Sequence, residues 1–120
     1  MIRQELIVPV SELIARHAAA RPGKVAYSDS RSSVTYGELA RVTANLAGHL
    51  QDAGVDAGDS VAIFLPNSVQ WVETCFASLR AGAVSVPISY DSTAHEVGYR
   101  LEDAQCKVIV TTDERYPMVR

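Results

Sequence analysis

The chain has 120 residues, 48% of them apolar and 21% charged, and its 11 basic and 14 acidic side chains give a net charge of −3. This composition is typical of a single soluble globular domain, and the acidic excess argues against non-specific nucleic-acid binding, which needs a basic surface. The longest apolar runs fall well short of the roughly 20 residues of a membrane helix. The apolar stretch at 6–10 is too short for the core of a secretion signal. We therefore expect a cytoplasmic protein with no membrane span and no nucleic-acid partner.

Residues 1–58 predict a helix, a hairpin and a second, longer helix. Residues 11–20 are predicted to form the first helix, with Ser11 as N-cap. Residues 24–29 and 34–36 favour strands on either side of a polar turn, which indicates a hairpin. The expected face of the first helix is Leu13, Ile14, His17 and Ala18.

The longer helix is marked by a capping box, because Thr35 and Glu38 have the T-x-x-E spacing in which each side chain accepts the other's backbone amide. Apolar or small residues then recur every three or four positions, as expected of one buried helix face. Gly54 suits the left-handed position just after the helix ends. The predicted face is Leu39, Val42, Thr43, Leu46, Ala47 and Leu50.

Residues 59–120 predict a β-α-β-α-β unit. The apolar run SVAIFL at 60–65 is typical of a strand buried on both faces of a parallel sheet. Two further strands are predicted at 83–88, with Pro87 near the end, and at 107–111. Strands joined through helices pair in parallel, so this unit is one half of a doubly wound α/β sheet.

Both helices of this unit have capping signals. Asn67 or Ser68 caps the first, and a second capping box, Thr93 with Glu96, begins the other. The first helix is expected to bury Val69, Val72, Phe76 and Leu79. The second is expected to bury Val97, Leu101 and Ala104.

The residues alone assign no catalytic, cofactor-binding or metal-ligating side chain. The sequence has no glycine-rich phosphate loop and no G-x-S-x-G elbow. Asn67 and Asp91 follow strands, at the edge where open α/β sheets bind ligands, but capping and turn formation explain both. Side chains expected to be structural or solvated are Lys24, Lys107, Cys75, Cys106, His17, His49, His95 and the pairs Glu102-Asp103 and Asp113-Glu114.

Five short stretches nevertheless resemble the core motifs of one family, in that family's order. VTYGEL at 34–39 resembles L-T-Y-x-E-L, GDSVA at 58–62 resembles G-D-x-V-A, and PNS at 66–68 is similar to P-N-S/C. LRAGAVSVPI at 79–88 resembles L-[KR]-A-G-A-x-x-V-P-[IL], and LEDA at 101–104 resembles L-x-D-[AS]. The family is that of the adenylate-forming enzymes, the AMP-binding acyl-CoA synthetases and ligases.

The resemblance implies the N-terminal subdomain of a longer enzyme, covering 1–120. Members activate a carboxylic acid with ATP and Mg²⁺ as an acyl-adenylate, then transfer the acyl group to the thiol of CoA or of a carrier-protein phosphopantetheine. The family's phosphate loop, acidic ATP/Mg²⁺ motif, ribose-binding Asp and mobile C-terminal Lys do not occur in this sequence. The resemblance therefore implies an inactive fragment whose partner is the remainder of the enzyme, and no cofactor bound by this chain alone.

The sequence does not decide the subclass, and two alternative hypotheses for the function remain. The stretch ISYDSTAHE at 88–96 is more similar to the acyl- and aryl-CoA ligase pattern than to that of peptide-synthetase adenylation domains, although SYD replaces the common N-P-R. The alternatives are a free-standing α/β interaction module derived from such an enzyme and an unrelated flavodoxin-like domain. If the chain is a fragment of a ligase of either subclass, we expect it to self-associate, because an exposed parallel sheet edge can pair with another chain.

Overall fold

The computed structural model describes residues 8–119, so part of the 6–10 stretch lies outside the described residues. Every predicted strand is present within one residue of its predicted bounds. The elements in chain order are α1 (Val10–Ala20), β1 (Val25–Ser28), β2 (Ser33–Thr35), α2 (Tyr36–Asp52), β3 (Ser60–Phe64), α3 (Val69–Arg80), β4 (Val84–Pro87), α4 (Ala94–Asp103), β5 (Cys106–Thr111) and a 3₁₀ turn (Tyr116–Met118).

The strands form two sheets. β1 and β2 make the predicted antiparallel hairpin, with an irregularity between Val25 and Tyr27. The other three strands are parallel in the order β4-β3-β5, so β3 lies in the centre, and the connection from β4 to β5 crosses back past it. This is the arrangement expected of a doubly wound sheet.

Helices cover both faces of the parallel sheet. Val61 of β3 packs in one core cluster with Ala77 of α3, whereas Ala62 and Phe64 pack in another with Val97 of α4. Alternate residues of a strand point to opposite faces, so α3 and α4 lie on opposite sides of β3. All four residues from Val61 to Phe64 are fully buried, which explains why this strand lacks the apolar–polar alternation of a half-exposed one.

Both predicted capping boxes are present. The Glu38 amide donates to Thr35 Oγ1 at 3.1 Å, and the Thr35 amide donates to Glu38 Oε1 at 3.1 Å. Thr93 and Glu96 repeat the exchange at the start of α4, at 3.2 and 3.1 Å. These hydrogen bonds lower the pKa of both glutamates, because they stabilise the charged carboxylate.

The prediction that Ser11 caps α1 is wrong. The helix begins at Val10, and the preceding Pro9 carbonyl accepts the amides of Glu12 and Leu13 at 3.0 and 3.1 Å. Val10 packs against the cluster that contains Ile14, which favours a start one residue earlier than the serine signal indicated. Leu13, expected on the buried face, is 40% exposed.

The buried face of α3 also differs from the prediction. Leu79 is 42% exposed and Val72 and Phe76 are half-buried, whereas small side chains occupy much of the buried face. The hydroxyls of Thr74 and Ser78 each donate at 2.8 Å to a carbonyl four residues earlier, which removes the cost of burying them. The buried residues of α3 are Val69, Thr74, Ala77 and Ser78. Of the two candidate caps, Ser68 accepts the Trp71 amide at 3.2 Å.

Candidate functional site

The three parallel strands end at one edge of the sheet, after Phe64, Pro87 and Thr111. The connections from β3 to β4 and from β4 to β5 run to helices on opposite faces of the sheet, so they diverge at this carboxyl edge between β3 and β4. A diverging pair of connections leaves a crevice outside the strand ends, which is the usual ligand position in open α/β sheets. Two clefts open along this edge.

The larger cleft has a volume of about 880 Å³ and lies between the hairpin turn, α2, α3 and the end of β5. One wall is apolar, and the rim is formed by hydroxyl, amide and carboxylate side chains. Its charged side chains are Asp29, Glu73 and Glu114 with a single Arg31, so the cleft is acidic. Burial raises the pKa of Glu73, and the nearby charge of Glu38 adds to this. The apolar wall consists of Val42, Leu46, Leu65 and Val110.

Asp29 forms hydrogen bonds with two segments that line this cleft, the hairpin turn and the start of α3. Its Oδ1 accepts the amides of Arg31 and Ser32 within the hairpin turn, at 2.7 and 2.8 Å. Its Oδ2 accepts the Val69 amide, the first of α3, at 2.9 Å. The hydrogen bond from Val69 is the main reason that the pKa of Asp29 falls from 3.8 to about 2, since bonded amides favour the charged carboxylate.

The smaller cleft, of about 440 Å³, lies between the ends of β3 and β4. Asn67 and Asp91, the two polar residues singled out by their position after strands, both line it. The structure therefore brings these two residues to one cleft, with Trp71 and Ile88 supplying apolar surface.

Tyr90 borders both clefts. Its ring lies 5.5 Å from that of Phe64, and its hydroxyl lies 2.8 Å from Thr112 Oγ1, beyond the end of β5. The guanidinium carbon of Arg115 lies 4.3 Å from the Tyr90 ring centroid, within the range of a cation–π contact. The chain after β4 is thereby fastened across the end of β3.

Sequence reasoning missed Asp29 and Tyr90 as site-forming residues. An aspartate before a polar S-R-S-S turn is a recognisable turn signal, but nothing in the pattern indicated its bond to α3. No pattern singled out Tyr90.

Of the remaining candidates from the sequence, the two cysteines, His17 and the two lysines lie outside both clefts. Cys75 and Cys106 are free and half-buried; Cys75 Sγ lies 3.7 Å from the Ser85 hydroxyl, and burial raises the pKa of Cys106. His17 stacks on Tyr36 at 4.9 Å. Lys24 and Lys107 are exposed and line neither cleft.

The paired carboxylates are exposed, and Glu114 makes a 3.1 Å ion pair with Arg115. Among residues 8–119 no three His, Cys, Asp or Glu side chains are grouped to hold a metal ion. Within the same residues no helix has the length and hydropathy to span a membrane.

The chain is similar to several proteins of known name. It is 42% identical over 116 residues to chalcone synthase cfoA of Aspergillus candidus, covering 97% of this chain and 4% of that protein. It is 37% identical over 107 residues to acetyl-coenzyme A synthetase 2 of Candida albicans, covering 84% of this chain and 16% of that protein. The chain thus spans a small part of the length of these relatives.

A solved structure confirms the likeness in three dimensions. The N-terminal domain of FACL13 from Mycobacterium tuberculosis superposes with a TM-score of 0.86 at 27% identity, covering 94% of this chain and 29% of that one. The sequence signature described as AMP-binding enzyme matches residues 14–119, nearly the whole chain. This chain therefore belongs to the AMP-binding enzyme family, as its five motifs indicated.

Proposed function

We propose that residues 1–120 form one N-terminal subdomain of a longer ATP-dependent carboxylate–thiol ligase. The whole enzyme would activate a carboxylic acid as its acyl-adenylate and transfer the acyl group to a thiol. The observation that carries this proposal is the family match over 14–119, combined with the small share of each relative that the chain spans. The chain alone would be inactive, and its partner would be the remainder of the enzyme.

The side chains of the two clefts do not fit ATP with its Mg²⁺. A triphosphate needs backbone amides of a glycine-rich loop or cationic side chains. No glycine and no lysine lines either cleft, and the larger cleft has three carboxylates against one arginine. We therefore place ATP, Mg²⁺ and the thiol cofactor in the whole enzyme, outside the described part of this chain.

Pyrophosphate exchange tests whether the chain is inactive without the remainder of the enzyme. The 120-residue chain is assayed with ATP, Mg²⁺ and a panel of aliphatic, aromatic and amino acids, and a complete family member serves as the positive control. We expect no acid-dependent exchange from the chain, because the phosphate loop and the catalytic lysine supply most of the charge stabilisation in this chemistry. Exchange above background would contradict the proposal.

The reading frame downstream of the chain's coding sequence tests the other half of the proposal. A continuing frame that carries the phosphate loop and the Pro-Lys-Gly end would support the ligase. A stop codon directly after Arg120 would favour the free-standing interaction module instead.

We infer an acyl- or aryl-CoA ligase as the subclass. The support is the stretch after the second motif, where Thr93 and Glu96 match the T-x-x-E of the ligase pattern and form the capping box of α4. A peptide-synthetase adenylation domain, with a carrier-protein thiol as acceptor, is the second candidate. The 42% identity to a protein of which the chain spans only 4% supports a very long parent protein.

We also propose that the isolated chain self-associates and that the protein is cytoplasmic. β4 and β5 each pair on one side only among the described strands, and Val84 of β4 is 51% exposed. Such edges are templates for pairing with a second copy. Two free cysteines fit a reducing compartment.

A further inference from the structure

The hydrogen bonds of Asp29 connect segments 40 residues apart. The hairpin turn at 29–32 and the loop at 65–68 after β3 both line the larger cleft. Asp29 Oδ1 accepts two amides of the turn, and Oδ2 accepts the Val69 amide directly after the loop. One carboxylate therefore sets the spacing between the two segments.

The loop is held at its helical end by two different groups. The first amides of a helix have no partner within the helix, and here Asp29 binds that of Val69 while Ser68 Oγ binds that of Trp71. Ser68 also donates to the Pro66 carbonyl at 2.9 Å, which tightens the loop. A negative charge at this end of α3 is further favoured by the helix dipole.

We propose that Asp29 is a positioning residue for the carboxyl edge of the sheet. Through Val69 it fixes the β3–α3 loop, and through that loop it fixes Asn67, which borders both clefts. Asn67 is exposed, so its own side chain is not held by packing. Loss of the carboxylate releases the loop and the hairpin turn from each other and changes the shape of both clefts.

Any effect of Asp29 on catalysis rests on the proposed ligase function, but its positioning role can be tested on the 120-residue chain alone. If the ligase proposal fails, the positioning role still stands or falls by its own measurement.

Amide hydrogen exchange of the ¹⁵N-labelled chain is the experiment. Asp29→Ala removes every acceptor, and Asp29→Asn keeps one acceptor oxygen without the charge. Thr93→Ala is the matched control, because it removes a cap from α4 and lowers stability without touching the loop. Asp103→Asn is the charge control, because Asp103 is exposed at the end of α4.

We expect Asp29→Ala to lower the protection of the Val69 amide about tenfold or more beyond the chain-wide average, since a hydrogen bond to a charged group is lost. Asn67 and Ser68 amide shifts should move with it, and Asp29→Asn should give an intermediate effect. The two controls should leave these amides at the chain-wide average.

Two results overturn the proposal. One is a loss of protection in Asp29→Ala that is uniform over the chain, as a purely stabilising residue would give. The other applies if Asp29→Ala does not fold: Asp29→Asn then decides alone, and unchanged Val69, Asn67 and Ser68 signals in that variant show that the carboxylate does not position the loop.

Discussion

The guanidinium of Arg80 on α3 donates to the hydroxyl of Thr43 on α2 at 3.0 Å, and the same Nη1 donates to the Ala40 carbonyl at 2.9 Å. Thr43 is fully buried, and its hydroxyl donates a hydrogen bond to the Leu39 carbonyl at 2.7 Å. Arg80 is the basic residue of the LRAGAVSVPI motif. In this chain the side chain ties the two helices of one sheet face together.

Replacing Arg80 by alanine should therefore weaken the contact between α2 and α3. We expect a loss of about 1–3 kcal/mol in the free energy of unfolding, because two hydrogen bonds from a charged donor disappear. Arg80→Lys should recover part of this, and Arg21→Ala, at an exposed position after α1, should have little effect. Urea denaturation measures all three, and equal stabilities of Arg80→Ala and Arg21→Ala would contradict the role.

Thr35→Ala tests the first capping box. Removing the hydroxyl leaves the Glu38 amide without its partner, and an N-cap of this type contributes about 1 kcal/mol. Thr35→Ser keeps the oxygen and should retain most of the stability. Thermal unfolding followed by circular dichroism gives the comparison, and an alanine variant as stable as the serine variant would show that the motif residue is not needed as a cap.

Two glycines should respond to alanine in opposite directions. Gly82 has φ of +78° and an added Cβ would meet the Ala57 Cβ at 3.4 Å, so Gly82→Ala should destabilise the fold by about 1 kcal/mol or more. Gly48 lies inside α2 with no atom within 4 Å of an added Cβ, so Gly48→Ala should stabilise by about 0.5–1 kcal/mol. Melting temperatures that shift the same way in both variants would refute this prediction.

The stability of the chain should fall with acid in a window set partly by Asp29. Its pKa is about 2 in the folded state against the usual 3.8. A lowered folded-state pKa means that the stabilisation is complete above pH 4 and is lost as the pH falls towards 2. In Asp29→Asn the melting temperature should start lower at pH 7 and decline less between pH 4 and 2, whereas parallel curves for the two proteins would exclude this contribution.

Self-association of the chain is tested by multi-angle light scattering at micromolar concentration. We expect a dimer or larger species, because the edges of β4 and β5 are open within the described sheet. Val84→Lys, which places a charge on an exposed edge position, should shift the distribution towards monomer. A monodisperse 13.0 kDa species would contradict self-association and favour the free-standing module.

The sequence by itself predicted the local elements and their order. Capping boxes such as Thr35 with Glu38 act within four residues, so their spacing is visible in the chain. The buried strand β3 was recognisable because a strand covered on both faces has no polar alternation. The resemblance of five motifs identified the family because it needs only order and spacing.

Only the tertiary structure decided which residues form the carboxyl edge. The bond from Val69 to Asp29 spans 40 positions and the contact of Tyr90 with Thr112 spans 22, and no local pattern encodes such pairs. The buried face of α3 was predicted wrongly for a related reason. Apolar periodicity shows which side of a helix prefers to avoid water, but where α3 packs, small residues such as Ala77 and Ser78 are fully buried while Leu79 remains exposed.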